Sequence, residues 1–196
     1  MPDYNAAITS QLFWVQETRT VARLIKEGAS DEEILRQSVE ENIFGAPSLD
    51  RQKKIASTVC RRLHSLPEEL VNLMATGDID VARLINLLAI MKTNDLFGDF
   101  MTEVFKQIKI LGIKQISSND VKKYLDEKRQ AYEDVQNISE ASYKKIQSTF
   151  IKLLVEAGLV ESSKTGIIVQ PYIDYQLKEL LETQGYRDYL FIITGE

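Results

Sequence analysis

Residues 139–170, SEASYKKIQSTFIKLLVEAGLVESSKTGIIVQ, constrain the fold of this chain more tightly than any other stretch. Ser139 can cap a helix whose apolar members Tyr143, Ile146, Phe150, Leu153, Leu154 and Ala157 recur at helical spacing and share one face. Gly158 stands where a left-handed C-terminal cap belongs. Two short β-prone runs follow, Leu159-Val160 and Ile167-Ile168-Val169, separated by the turn-forming residues 162–166.

A second helix candidate, 119–130 with Ser118 as its cap, lies just upstream. Helix, connector, helix and hairpin, in that order, is the pattern of a winged helix-turn-helix, a module that mostly binds DNA and sometimes proteins. The rest of the chain reads almost wholly as helix. Thr9 or Ser10 can cap a first helix that carries Leu12, Phe13, Val15, Val21, Leu24 and Ile25 towards Gly28. Ser30 and Glu33 form a capping box for a second, which reaches to about Asn42. After the break at Gly45-Ala46-Pro47, Ser48 caps a third to about His64, and Pro67 opens a short fourth that Gly77 closes. Asp78 caps a fifth, Thr93-Asn94 interrupts it, and a sixth runs from Asp95 to its end at Gly112. The spacing predicts a mainly α protein in three parts: an N-terminal helical domain over 1–112, the winged helix-turn-helix with its small β-hairpin over 113–172, and a C-terminal helical tail over 173–196. The tail reads as one helix to Gln184 and a short ending, packed on the rest.

Composition narrows the function. With 196 residues, 44% hydrophobic and 27% charged, the chain can bury a core like an ordinary soluble protein. Its single cysteine, Cys60, excludes an internal disulfide or a cysteine-cluster metal site and suits a reducing cytoplasm. The N-terminus lacks signal-peptide character, and the longest apolar run, 87–91, is far below the roughly 18 residues of a membrane span. The expectation is a cytoplasmic protein with no membrane association.

No nucleotide-binding, zinc-protease or nucleophile-elbow motif is present. His64, the only histidine, has no acid or cysteine at catalytic spacing and reads as a surface or cap residue; Cys60 reads as a small core residue. Acid pairs such as Glu32-Glu33 and Glu68-Glu69 fall at helix starts, where the macrodipole accounts for them. Tyr4, Phe13 and Trp14 read as core rather than as a platform for bases. No catalytic residue, metal ligand or cofactor site emerges, so binding comes first.

A net charge of −5 argues against coating nucleic acid through the overall field but leaves room for a local basic face. The third helix supplies one, with Arg51, Lys53, Lys54, Arg61 and Arg62 against Asp50. Steps of about 100° per residue place Arg51, Lys54, Thr58, Arg61 and Arg62 along one stripe, a spacing suited to a phosphate backbone. The helix of 139–157 adds Lys144, Lys145, Ser148, Thr149 and Lys152 opposite its apolar face, and Lys164 sits at the hairpin tip. Lysines and hydroxyls hold phosphates, whereas the side chains that read base edges are missing from that face, so recognition should be largely sequence-independent. The same residues also admit a protein–protein adaptor, in which the winged helix docks another protein and the charges only keep the surface solvated.

Further short matches give the chain a resemblance over essentially its whole length. Tyr4-Asn5, Thr9-Ser10, Glu17 and Arg19-Thr20-Val21-Ala22 open it; Glu41-Asn42, Ser48, Arg51, Ile55-Ala56 and Arg61-Arg62-Leu63 follow; Asp99-Phe100-Met101, Glu103, Asp126-Glu127-Lys128 and Glu156-Ala157-Gly158-Leu159 complete it. In their order and spacing these residues resemble the BrxA family, small components of bacteriophage exclusion (BREX) systems. The resemblance implies an all-helical N-terminal part related in shape to the NusB antitermination fold, then a winged helix. It also implies double-stranded DNA binding in phage defence, other phage-exclusion proteins as partners, and no enzymatic activity of its own.

Overall fold

Capping side chains decide where this chain turns. The computed structural model describes residues 2–195 and is mainly helical. A 3-10 turn, Ala7–Thr9, precedes α1 (Val15–Lys26), α2 (Asp31–Glu40), α3 (Leu49–His64), α4 (Glu68–Thr76), α5 (Ile79–Thr93) and α6 (Asp95–Phe100). A π turn, Met101–Phe105, carries α6 into α7 (Lys106–Ile110). Next come α8 (Ser118–Ala131), α9 (Glu133–Gln136), α10 (Glu140–Glu156), α11 (Tyr175–Thr183) and α12 (Arg187–Thr194). Ser30 with Glu33, Ser48, Asp78 and Ser139 each cap the helix expected of them, by accepting a backbone N–H of the first turn.

Four features differ from the sequence reading. The first helix starts at Val15, because the Thr9 and Ser10 hydroxyls turn back to the carbonyls of Ala6 and Ala7 and close the 3-10 turn instead. Ser117, not Ser118, caps α8, in a capping box with Asp120. The hairpin is reduced to bridges: among the described residues the only β pairing is Val160 with Ile168 and Gln115 with Ile167, both antiparallel. Segment 114–116 thus joins the hairpin as a third member, through Ile116 N–H to the Gly166 carbonyl and Ile168 N–H to that of Lys114, each 2.9 Å. Gly166 is required there, since its φ is +64° and a Cβ would stand 2.0 Å from the Ile116 carbonyl oxygen. Finally, the chain end folds as α12, because Tyr189, Leu190, Ile192 and Ile193 all bury, and the Tyr189 hydroxyl donates to the Leu84 carbonyl at 2.5 Å.

The apolar face foreseen for 139–157 is wholly buried. Phe150 of α10 packs 5.0 Å from Phe97 and 5.1 Å from Phe100 of α6, between ring centroids, and the Tyr124 hydroxyl of α8 donates to the Leu96 carbonyl. The core therefore runs unbroken past Gly112, which holds α10 in place against the N-terminal helices.

Candidate nucleic-acid interface

Helix α3 is packed by α1, α2 and α5, so only a narrow strip of it reaches solvent. That strip carries Lys53, Lys54, Ser57 and Arg61. The expected stripe of Arg51, Lys54, Thr58, Arg61 and Arg62 is therefore split. Thr58 is 5% exposed and Arg62 only 1%, which removes both from any surface that meets a ligand. The wheel placed them correctly relative to one another, but three packing partners cover more of α3 than a one-sided core would.

Arg62 has a structural task instead. Its guanidinium donates to the carbonyls of Gln11 (3.3 Å), Leu12 (2.9 Å) and Phe13 (3.1 Å). Buried Asn86 of α5 adds a bond to the Phe13 carbonyl at 2.6 Å. These donors satisfy the carbonyls of 11–13 without a helix, so the segment 10–14 can stay non-helical in a buried place. Trp14 closes the segment in a left-handed conformation, φ 50°, with the Arg51 guanidinium 4.8 Å from its ring centroid and that of Arg62 at 5.8 Å. Burial first, and then neighbouring Arg61, pushes the Arg62 pKa down to about 9, so the group stays cationic at neutral pH.

The segment held by Arg62 meets both basic faces. On one side the Lys54 ammonium donates to the Ser10 hydroxyl at 2.7 Å and the Arg61 guanidinium to Gln11 Oε1 at 2.9 Å. On the other side Thr9, Leu12 and Phe13 form one wall of a groove of about 360 Å³ whose opposite wall is α10, with Lys145, Ser148, Thr149 and Lys152. Ser118 and Ser163 complete its hydroxyl lining. Ser148 and Thr149 donate back to the Lys145 carbonyl, which fixes their oxygens in place. Lys144 and Lys164 are exposed outside the groove.

Neutral groups hold Arg51, Lys54 and Arg61. Among the described residues none of Arg51, Lys54, Arg61, Lys144, Lys145, Lys152 and Lys164 is in an ion pair, whereas Arg83, Lys106, Lys122, Lys128 and Arg129 all are. Glu156 is the one carboxylate lining the groove; burial raises its pKa, against the pull of Lys152. Sequence reasoning counted Lys53 in the basic helix but left it out of the stripe, and it missed Ser10 and Gln11 as parts of this surface. The helical step from Ser57 to Lys53 and Arg61 signals the first, but the other two follow only from the path that Arg62 imposes.

The remaining candidates are structural. Tyr4, Phe13 and Trp14 are core. Cys60 is buried, its thiol pushed up to about 12 by burial first and then by Asp31. His64 Nε2 lies 2.8 Å from an Asp31 carboxylate oxygen on the surface. No helix among the described residues is long and apolar enough to cross a membrane.

Fold and site together describe a mainly helical protein with a groove whose lysines are in no ion pair among the described residues. Sequence comparison then settles its relationships: the BrxA family model matches residues 2–185, and the chain belongs to that family. Similar proteins include the BREX protein BrxA of Bacillus cereus (strain H3081.97), 31% identical over 194 residues, or 98% of this chain and 97% of that one. The BREX protein BrxA of Escherichia coli O9:H4 (strain HS) is 23% identical, over 92% of this chain and 85% of its own. A crystal structure of an uncharacterized protein from Magnetospirillum magneticum superposes with a TM-score of 0.80 and 22% identity over the whole of both chains, a likeness of fold.

Proposed function

We propose that this chain is a non-enzymatic, double-stranded DNA-binding component of a BREX phage-defence system, working with other proteins of that system. Membership of the BrxA family and relatives named BREX protein BrxA support the system. In this reading α8, α9, α10 and the bridged hairpin act as a winged helix on a NusB-like helical bundle.

One observation carries the DNA reading: Lys54, Arg61, Lys145 and Lys152 surround one segment, 9–13, with neutral hydrogen-bond partners or none, and among the described residues none is in an ion pair, Glu156 being the one carboxylate in the groove lining. A cation held by a hydroxyl or an amide keeps its charge for a phosphate while its position is fixed. Lys144 and Lys164 extend the positive face along α10 and to the hairpin turn, and Arg51 adds charge beside Trp14. Lysines and hydroxyls grip the backbone without reading base edges, so affinity should depend little on sequence. The test is anisotropy with two unrelated duplexes. Replacing Lys54, Arg61, Lys145 and Lys152 together by alanine is expected to weaken both equally, on the order of hundredfold at low salt. Loss on one duplex alone contradicts a sequence-independent grip.

A further inference from the structure

The antiparallel bridge between Gln115 and Ile167 is of the non-hydrogen-bonded kind, since the bonds are made by their neighbours Lys114, Ile116, Gly166 and Ile168. The backbone N–H and C=O of Gln115 therefore point away from the hairpin, and neither has a hydrogen-bond partner among the described residues. Segment 114–116 is the outer member of the ladder, because the other side of Ile168 is taken by Val160. An open edge is usually guarded by charge and kept free of apolar bulk. Here the approach to it is apolar: Ile110, Leu111 and Ile113 are 53%, 69% and 45% exposed, and Ile167, opposite Gln115, is 39% exposed. Beside this run a hollow of about 240 Å³ is lined by Lys109 and Lys114 together with Ile113 and Ile168. Lys109 is half-buried, and it donates to Gln170 Oε1 at 3.1 Å.

From this geometry we infer that the 114–116 edge is a docking site for an extended, acid-flanked apolar segment of another protein, which adds to the hairpin as a further strand. A residue of that segment placed opposite Gln115 exchanges both backbone hydrogen bonds with it. Alternate apolar side chains of the segment cover Ile113 and Ile167, and a flanking carboxylate meets Lys109 and Lys114. The charge selects among occupants: a second copy of this chain would bring a second lysine pair to the same edge, whereas an acidic segment neutralises the first. The site shares no residue with the groove around 9–13, so it does not depend on the DNA reading.

The probe is a phage-displayed random dodecapeptide library, selected on the full chain, with the leading sequence then synthesised with a fluorescent label. Enrichment of peptides with alternating apolar residues beside Asp or Glu is expected. Gln115→Pro removes the outward N–H while sparing every backbone bond of the ladder, losing only the long, exposed side-chain bond to the Thr165 carbonyl, and should weaken the labelled peptide at least about tenfold with a nearly unchanged thermal melt. Lys109→Glu with Lys114→Glu should do the same without touching the backbone. Four results overturn the proposal: no enriched peptide, peptides without acidic residues, binding that survives both variants, or displacement of the peptide by duplex DNA. Concentration-dependent dimerisation that Gln115→Pro abolishes would also overturn it, by making a second copy the occupant.

Discussion

Lys128 and Arg62 are both long cations drawn inwards beside the N-terminal segment, and the protein treats them in opposite ways. Lys128 Nζ lies 2.7 Å from Glu103 and 3.4 Å from Asp99, donates to the Tyr4 hydroxyl at 3.1 Å, and has the rings of Tyr4, Tyr124 and Tyr132 around it at 5.2, 5.4 and 5.5 Å. Its charge is neutralised where it stands. Arg62 faces three carbonyls and no carboxylate, and the exposed cations next to it, Lys54 and Arg61, meet a hydroxyl and an amide. One cluster ends its own field; the other leaves positive charge facing solvent within a chain of net −5. The contrast separates cations that hold the fold from cations free to hold a ligand.

Breaking the Arg62 side should have the larger effect. Arg62→Met leaves the carbonyls of Gln11 and Leu12 without their donor and that of Phe13 with Asn86 alone, at a cost of about 3–5 kcal/mol in urea unfolding. Duplex affinity should fall with it, although Arg62 touches no ligand, because Ser10 and Gln11 lose the path that aims Lys54 and Arg61. Lys128→Met should cost less, about 1–2 kcal/mol, since Asp99 and Glu103 retain access to water, and duplex affinity should not change.

The Lys128 cluster also carries a pH signature. Burial and the hydrogen bond to Asp99 push Tyr4 up to about 12, whereas burial alone would lower Lys128 and hydrogen bonds to Glu103 and Tyr4 overturn that and raise it. Both groups hold their protons more tightly folded than unfolded. Their contribution is complete below about pH 10 and is lost as pH climbs through about 12, a fall in melting temperature that Tyr4→Phe should flatten. The smallest effect concerns the groove. Glu156→Gln removes the one carboxylate from its lining and should tighten duplex binding about two- to fivefold. Because burial raises Glu156, mild acidification should strengthen wild-type binding and leave the Gln variant unaffected.

Local chemistry made most of the helices legible. Ser30, Ser48, Asp78 and Ser139 announce their helices because a cap acts over three residues, and the apolar face of α10 is visible because periodicity is local too. What stayed hidden depends on partners far along the chain. The buried state of Arg62 is set by carbonyls some 50 residues away, and the start of α1 is set by Arg62 in turn. The third member of the hairpin, Gln115, pairs with a residue 52 positions later, and α12 forms because the bundle offers its apolar side chains a place. The lysines of α10 were legible as a charged face; their meeting with 9–13 across one groove was not.

The most direct measurement is a salt titration of wild-type binding to a labelled duplex of arbitrary sequence. If Lys54, Arg61, Lys145, Lys152 and their neighbours meet the backbone, about 3–5 phosphates are neutralised and the log–log slope is about −3 to −4.5. A slope near zero, or no binding at low salt, would contradict a phosphate-gripping groove.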